Sequence, residues 1–293
     1  EDAASMALTV FNRFLHIHQI DRAQLGLLEV GGAGSMDRSK SIKTILMAAV
    51  EPIEDSDTEG LDLSSAGYGG MASMHACTAW ANSAACDGRW AITISIDHGI
   101  LPFETRKTAT LTGAVGLLIG RDAPAVLEPL GARCHGHAWS LSLPVGAPMS
   151  SPILDTAHTI QDSVECAKTV CNLFQASEGV GSLLSLYERI VVCTQGGPGF
   201  AHQMCDLLAS QDHLSSSLAQ YENKVASSLH VQARTGAPLS ASLVPLCSLL
   251  LQQRELPLRA CVYSCADGSS ASFARVCISR PVKSTYSLDA LQR

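Results

Sequence analysis

Residues 63–70 read Leu63-Ser64-Ser65-Ala66-Gly67-Tyr68-Gly69-Gly70, and how this stretch is read decides the fold. Its glycines make a tight turn, and the segment beyond it, Met71 to Ala85, is a helix of small residues suited to close packing on a sheet. Upstream, Leu27-Leu28-Glu29-Val30 reads as a short strand entering a tight turn at Gly31-Gly32. A helix follows over residues 39–50, with Ile42, Ile45, Leu46 and Val50 on its apolar side. Downstream, Ile92, Ile94 and Ile96 alternate with Thr93 and Ser95 in a strand that ends at Asp97. Gly113 to Gly120 is the next apolar strand. At the start, Met6, Val10, Phe11, Phe14 and Leu15 recur at helical spacing over residues 2–18.

The later chain continues the mixture. Residues 155–175 form a long helix with Ile160, Val164, Ala167 and Phe174 on its apolar side. Ile190-Val191-Val192-Cys193 is a buried strand that runs into Gly196-Gly197-Pro198-Gly199. The serine-rich stretch 209–217 reads as a loop, and 239–251 as an apolar helix. Arg259–Cys265 and Ser272–Ser279 flank a small-residue turn, a strand–turn–strand close. Strands interleaved with helices throughout predict a layered α/β fold rather than a bundle or sandwich.

At 293 residues and 46% hydrophobic content, the chain can bury a large core. The net charge is −7 and no basic block interleaves with aromatics, so nucleic acid and anionic membrane are not expected partners. No apolar run approaches the length of a membrane span. Eleven cysteines, an odd number with no Cys-x-x-Cys pair, lie scattered in apolar stretches. Most read as small buried hydrophobes of a reducing compartment, and the cytoplasm is the expected location. The chain opens at Glu1 directly into a helical pattern, which reads as a fragment, a processed product or a trimmed chain.

Three stretches resemble the 3-hydroxy-3-methylglutaryl-CoA (HMG-CoA) synthase family. The first is Leu28-Glu29-Val30-Gly31 with Asp37-Arg38-Ser39-Lys40-Ser41-Ile42-Lys43-Thr44. The second runs from Glu59-Gly60 through Tyr68-Gly69-Gly70, Trp80 and Asp87-Gly88-Arg89 to Asp97. The third is Gly113-Ala114-Val115-Gly116 through Leu118-Ile119-Gly120 to Ala123-Pro124. Weaker likenesses follow at His137-Ala138-Trp139, Pro144, Tyr263-Ser264 and Gly268. The resemblance implies a thiolase-like αβαβα architecture of two related halves, usually a homodimer. The first half would occupy 1–125. Residues 126–293 would hold its remainder and a shortened second half, with the family's first elements lying before Glu1.

The resemblance also implies three catalytic positions. The family's cysteine, whose thiolate takes the acetyl group, falls on Gly67. Its general acid/base glutamate falls on Ala33, four residues beyond Glu29, and its histidine falls on Thr194. A lysine that would meet the CoA phosphates is replaced near Gly199, so tight CoA binding is not expected. Without the three groups there is no route to the acyl-enzyme. Two readings compete: a decayed homologue without catalysis, or a repurposed site. The second is favoured because the strand patterns and Tyr68-Gly69-Gly70 are well kept; in it Ala33, Gly67 and Thr194 are all smaller than the groups they replace, and Leu101 stands for a pocket tyrosine. Together they would make a larger, drier cavity able to fold a bulky apolar substrate without covalent attachment.

Candidate groups follow. Asp97-His98 ends a strand where α/β sites form, and His98 adds a group that titrates near neutral pH. The plainer reading is a strand-end histidine bonded to backbone. Tyr68 can donate to a substrate carbonyl, or simply pack and hold the turn. Trp139 and Asp267 are further pocket candidates, although aspartate in such a turn commonly bonds local backbone. Cys134-His135-Gly136-His137 offers soft ligands at short spacing but no second ligand pair, so no metal is expected. The glycine-rich 196–199 lacks a phosphate-loop ending, and no Gly-x-Ser-x-Gly turn occurs. The expected function is a cofactor-independent cyclase, isomerase or dehydratase acting on a polyketide or terpenoid intermediate. The alternatives are a non-catalytic binding or regulatory homologue, or a synthase of isoprenoid biosynthesis by label alone.

Overall fold

The computed structural model describes residues 2–33, 39–48, 57–65, 67–98, 112–128, 131–138, 141–142, 153–154, 156–179, 182–194, 197–211, 217–235, 243–252, 255–266 and 269–282. The chain divides into two compact units. The first comprises residues 1–100 with 110–123 and 238–243, and the second residues 101–109, 124–237 and 244–293.

In the first unit, α1 (Ala3–His18) starts at Asp2, whose carboxylate takes the Ser5 N–H while the Ser5 hydroxyl takes the Asp2 N–H. It is followed by β1 (Leu25–Ala33), α2 (Ile42–Met47), β2 (Asp62–Ser64), α3 (Gly69–Ala81), β3 (Trp90–His98) and β4 (Thr112–Ile119). The sheet order is β2-β1-β3-β4; β2 and β3 run parallel to β1, and β4 closes antiparallel to β3. Alternation sorts the side chains. Leu28, Val30, Ile92, Ile94 and Ile96 face Phe11, Leu15, Ile42 and Leu46 of α1 and α2 in one core. Leu27 and Ala91 face Cys77 and Trp80 of α3 on the other side.

One sequence expectation changes here. β1 does not stop at Val30 but runs through Gly31-Gly32 to Ala33. A β-carbon on Gly31 would lie 2.1 Å from the Gly69 carbonyl oxygen, and one on Gly69 would lie 2.7 Å from the Gly32 nitrogen. The two glycine pairs are therefore opposite sides of one close strand–helix approach rather than two separate turns. The charged motif at 39–44 is local scaffolding. Ser41 caps α2, and Asp62 accepts from the Ile42 and Lys43 N–H groups at 2.6 and 3.0 Å.

The second unit contains β5 (Ala125–Leu127), β6 (Ala132–His135), β7 (Leu141–Ser142), β8 (Ile153–Leu154), α4 (Thr156–Glu178), α5 (Leu183–Leu186) and β9 (Arg189–Thr194). After these come α6 (Gly197–Gln211), α7 (Ser217–Gln220), α8 (His230–Thr235), α9 (Val244–Leu251), β10 (Leu258–Cys265) and β11 (Ser270–Ile278). β10 pairs parallel to β9 and antiparallel to β11, which also pairs with β5 and β6. The first unit has the same logic: a parallel pair joined through helices, then an antiparallel return strand. The second core is centred on Val170, Phe174, Tyr187, Val192, Tyr263 and Phe273. Gly197-Pro198-Gly199 opens α6, since proline is tolerated in the first turn of a helix. Helix also occupies 209–211 and 217, where the serine-rich composition predicted a loop. All eleven cysteines are thiols and seven are buried, as their apolar settings predicted.

Candidate functional site

The first unit gathers its candidates at the C-terminal ends of parallel strands β1 and β3, where α/β folds place ligands. Ala33 and Asp97 are register partners there, one step beyond the Gly32–Ile96 pair. His98 follows and pairs with Thr112 of β4. Beside them the chain leaves β2, turns and enters α3. This strand–turn–helix elbow is closed by the Tyr68 and Gly69 N–H groups, which donate to the Ser65 carbonyl at 3.2 and 2.8 Å. Gly67 lies inside it, buried, with φ of +74°. That left-handed geometry is open to glycine and costs an L-residue about 1–2 kcal/mol. Tyr68 precedes the first residue of α3 and is buried, 6% exposed.

Buried hydroxyls fix α3 against the sheet. Ser73 Oγ lies 2.6 Å from Thr93 Oγ1 and donates to the Gly70 carbonyl at 2.9 Å. Sequence reasoning did not single out this pair; its signal was two small polar residues in otherwise apolar runs. Cys77 Sγ donates to the Ile92 carbonyl at 3.7 Å. Burial first, then the charge of Glu29, holds the Cys77 thiol protonated well above its usual range. Cys77 also stands roughly 12 Å along the helix from Gly69, so it is no surrogate nucleophile.

Glu29 is buried as well, and about 13 Å of strand separate it from Ala33, which excludes it as a displaced acid/base. Burial raises its carboxyl above the ordinary value of 4.5; a hydrogen bond from the Leu61 backbone and the Lys43 ammonium oppose this, and Asp62 adds to it. A carboxyl raised on folding stabilises the fold below its unfolded value, and that stability is lost as pH rises through the folded one. Glu29→Gln lacks this loss. Urea denaturation at pH 4 and pH 8 is expected to show the variant gaining on the parent chain only at the higher pH.

In the second unit, Thr194 ends β9 opposite Cys265 and is 5% exposed. Its carbonyl accepts from Gln232 Nε2 of α8 at 3.0 Å, a buried partner with no sequence signal of its own. His135 Nδ1 lies 3.1 Å from Ser270 Oγ. Thr194 belongs to a different unit from Ala33, Gly67, Tyr68, Asp97 and His98. The side chains of Ala33, Asp97 and His98, and residues Leu101, Trp139 and Asp267 as a whole, lie outside the described residues. No helix among the described residues is long and apolar enough to cross a membrane.

Residues 1–124 match the family described as hydroxymethylglutaryl-coenzyme A synthase N terminal. The hydroxymethylglutaryl-CoA synthase of Mycosarcoma maydis is 35% identical over 166 residues, covering 57% of this chain and 36% of the relative. The mitochondrial enzyme of Sus scrofa is 38% identical over 162 residues, covering 55% of this chain and 32% of the relative. These matches thus span about a third of each relative's length. Among solved structures, MvaS in complex with 3-hydroxy-3-methylglutaryl coenzyme A superposes with a TM-score of 0.83 at 22% identity, over 95% of this chain and 73% of that one. PksG, an HMG-CoA synthase from Bacillus subtilis, gives 0.81 at 16% identity over 100% and 71%. Residues 1–124 thus resemble the N-terminal family of the HMG-CoA synthases, and the chain shares the α/β fold of solved HMG-CoA synthases, of which it covers 73% and 71%.

Proposed function

We propose that this HMG-CoA-synthase-like chain does not carry out Claisen condensation. It instead holds a bulky apolar intermediate of polyketide or terpenoid type without covalent attachment, and acts on it as a cyclase, isomerase or dehydratase. The observation that carries the reading is Gly67, a residue with no side chain in a buried left-handed elbow. By resemblance this is the nucleophile's place, and glycine can neither attack a thioester nor carry an acyl group. Ala33 at the end of β1 and Thr194 at the end of β9 likewise bring neither the family's carboxylate nor its imidazole.

In this reading Asp97 and His98 move protons and Tyr68 donates a hydrogen bond to a substrate oxygen. The substrate-binding candidates are Ala33 and Gly67 in the first unit and Leu101, Trp139, Thr194 and Asp267 in the second, with the first half at 1–125 and the rest at 126–293. The reaction needs no metal or cofactor, and the protein acts as a cytoplasmic homodimer. A solved fold neighbour is the HMG synthase of the curacin biosynthetic pathway in complex with holo donor-ACP, which suits an intermediate of that chemical kind. Other neighbours are complexes with HMG-CoA and CoA, so a thioester-borne ligand fits the fold. A non-catalytic homologue is the second reading, favoured by the same three unreactive positions.

Crystals soaked with dodecanoyl-N-acetylcysteamine thioester separate the two. Repurposing predicts the apolar chain ordered beside Gly67 in an open cavity. A collapsed space with no bound probe contradicts it and leaves the non-catalytic homologue.

A further inference from the structure

Three thiols converge in the second unit from three different elements. Cys134 on β6 and Cys265 on β10 are both register partners of Ala271 on β11, so they flank one alanine on the same face of the sheet. Cys166, on α4, packs over that face in the same core as Cys265 and Ala271, and Cys134 packs against it. The Cys166 thiol feels both the others, each of which raises its pKa. Cys166 and Cys265 are buried, whereas Cys134 is partly exposed. Cys134 and Cys265 are two strand spacings apart, about 9.5 Å, beyond the roughly 7 Å that a disulfide spans. Cys166 is the thiol that neighbours both.

We propose that Cys134, Cys166 and Cys265 form a peroxide-oxidisable thiol relay, independent of the catalytic reading above. The partly exposed Cys134 is the entry. Its sulfur reduces a peroxide, becoming sulfenic acid as the peroxide O–O bond breaks and water leaves. The Cys166 sulfur attacks that sulfenic sulfur, a Cys134–Cys166 disulfide forms, and a second water carries off the hydroxyl and the Cys166 proton. Cys265 then exchanges: its sulfur attacks Cys166, Cys134 departs as thiolate and takes up the Cys265 proton, and the disulfide moves inward. Ala271 leaves room for this, where a larger side chain would part the sulfurs. The Cys265 thiol first, then burial and the Cys134 thiol, keep Cys166 protonated, so oxidation is slow and answers sustained rather than passing oxidant. The product ties β6 or β10 to α4 and encloses one strand end of the second unit, where Cys265 neighbours Thr194.

The test treats the purified protein with hydrogen peroxide, alkylates the remaining thiols and maps crosslinked peptides by mass spectrometry without reductant. The expected products are Cys134–Cys166 and Cys166–Cys265 disulfides, both reversed by dithiothreitol. Cys134→Ser, at a partly exposed site, keeps the fold and is expected to slow crosslinking of Cys166 by about tenfold or more. In Cys166→Ala, Cys134 is expected to accumulate sulfenic acid that dimedone traps. The relay is overturned by Cys166 crosslinking in Cys134→Ser at the parental rate, by a Cys134–Cys265 disulfide, or by irreversible oxidation of Cys134 with no crosslink.

Discussion

Gly31→Ala is expected to destabilise the first unit by about 3 kcal/mol or more, the upper end of what overpacking costs. The added methyl would sit 2.1 Å from the Gly69 carbonyl oxygen, 2.5 Å from its carbon and 2.6 Å from Ser73 Oγ. Two of those atoms are backbone and cannot rotate away. Relief requires α3 to lift from β1, which breaks the buried Ser73–Thr93 contact and displaces the elbow. Gly199→Ala makes the same chemical change where nothing lies within 4 Å, inside helix α6. There alanine is expected to be neutral or to stabilise by up to about 1 kcal/mol, since it restricts the unfolded chain. Urea midpoints of the two variants check the contrast, and equal midpoints would contradict the close-approach account.

Arg275→Met is expected to cost the second unit about 3–5 kcal/mol, the range for stripping the partner from a buried carboxylate. Glu178 closes α4 with its side chain 6% exposed, and Arg275 Nη1 lies 3.0 Å from its Oε1. Arg275 Nε is also 3.1 Å from Glu128 Oε2. Neither contact has hydrogen-bond alignment, so the attraction is chiefly coulombic. With the arginine gone, that carboxylate keeps the Tyr187 hydroxyl, which donates to Glu178 Oε2 at 3.1 Å. The helix C-terminus adds further unfavourable potential. Combining Arg275→Met with Glu178→Gln removes both charges and is expected to recover most of the loss. A double variant as unstable as the single one would show that packing, not charge, sets the cost.

Most of the fold was legible because the first unit obeys simple periodicities. Ile92, Ile94 and Ile96 alternate as a half-buried strand must, and Met6, Phe11 and Leu15 recur as a helix face must. The elbow was legible as a glycine-rich turn ahead of a small-residue helix. Gly31-Gly32 misled because a glycine pair reads locally as a turn, whereas its reason lies about 40 residues away in Gly69. The serine-rich stretch misled because its composition alone suggests a loop, whereas helix holds 209–211 and 217. The candidate site could be assigned only as positions, not as contacts. Gly67, Ala33 and Asp97 are positions that the family resemblance implies, but Gln232 on Thr194 and the Ser73–Thr93 pair arise from tertiary packing that no local window contains.

The central claim is that the chain keeps the synthase fold without its covalent chemistry. It is tested most directly by incubating the purified protein with acetyl-CoA and acetoacetyl-CoA. HMG-CoA would be followed by chromatography and acetyl adducts by intact-protein mass spectrometry. With no nucleophile at Gly67, the account predicts no acetyl adduct and turnover lowered on the order of 10⁶-fold, indistinguishable from buffer. Robust HMG-CoA formation would contradict it.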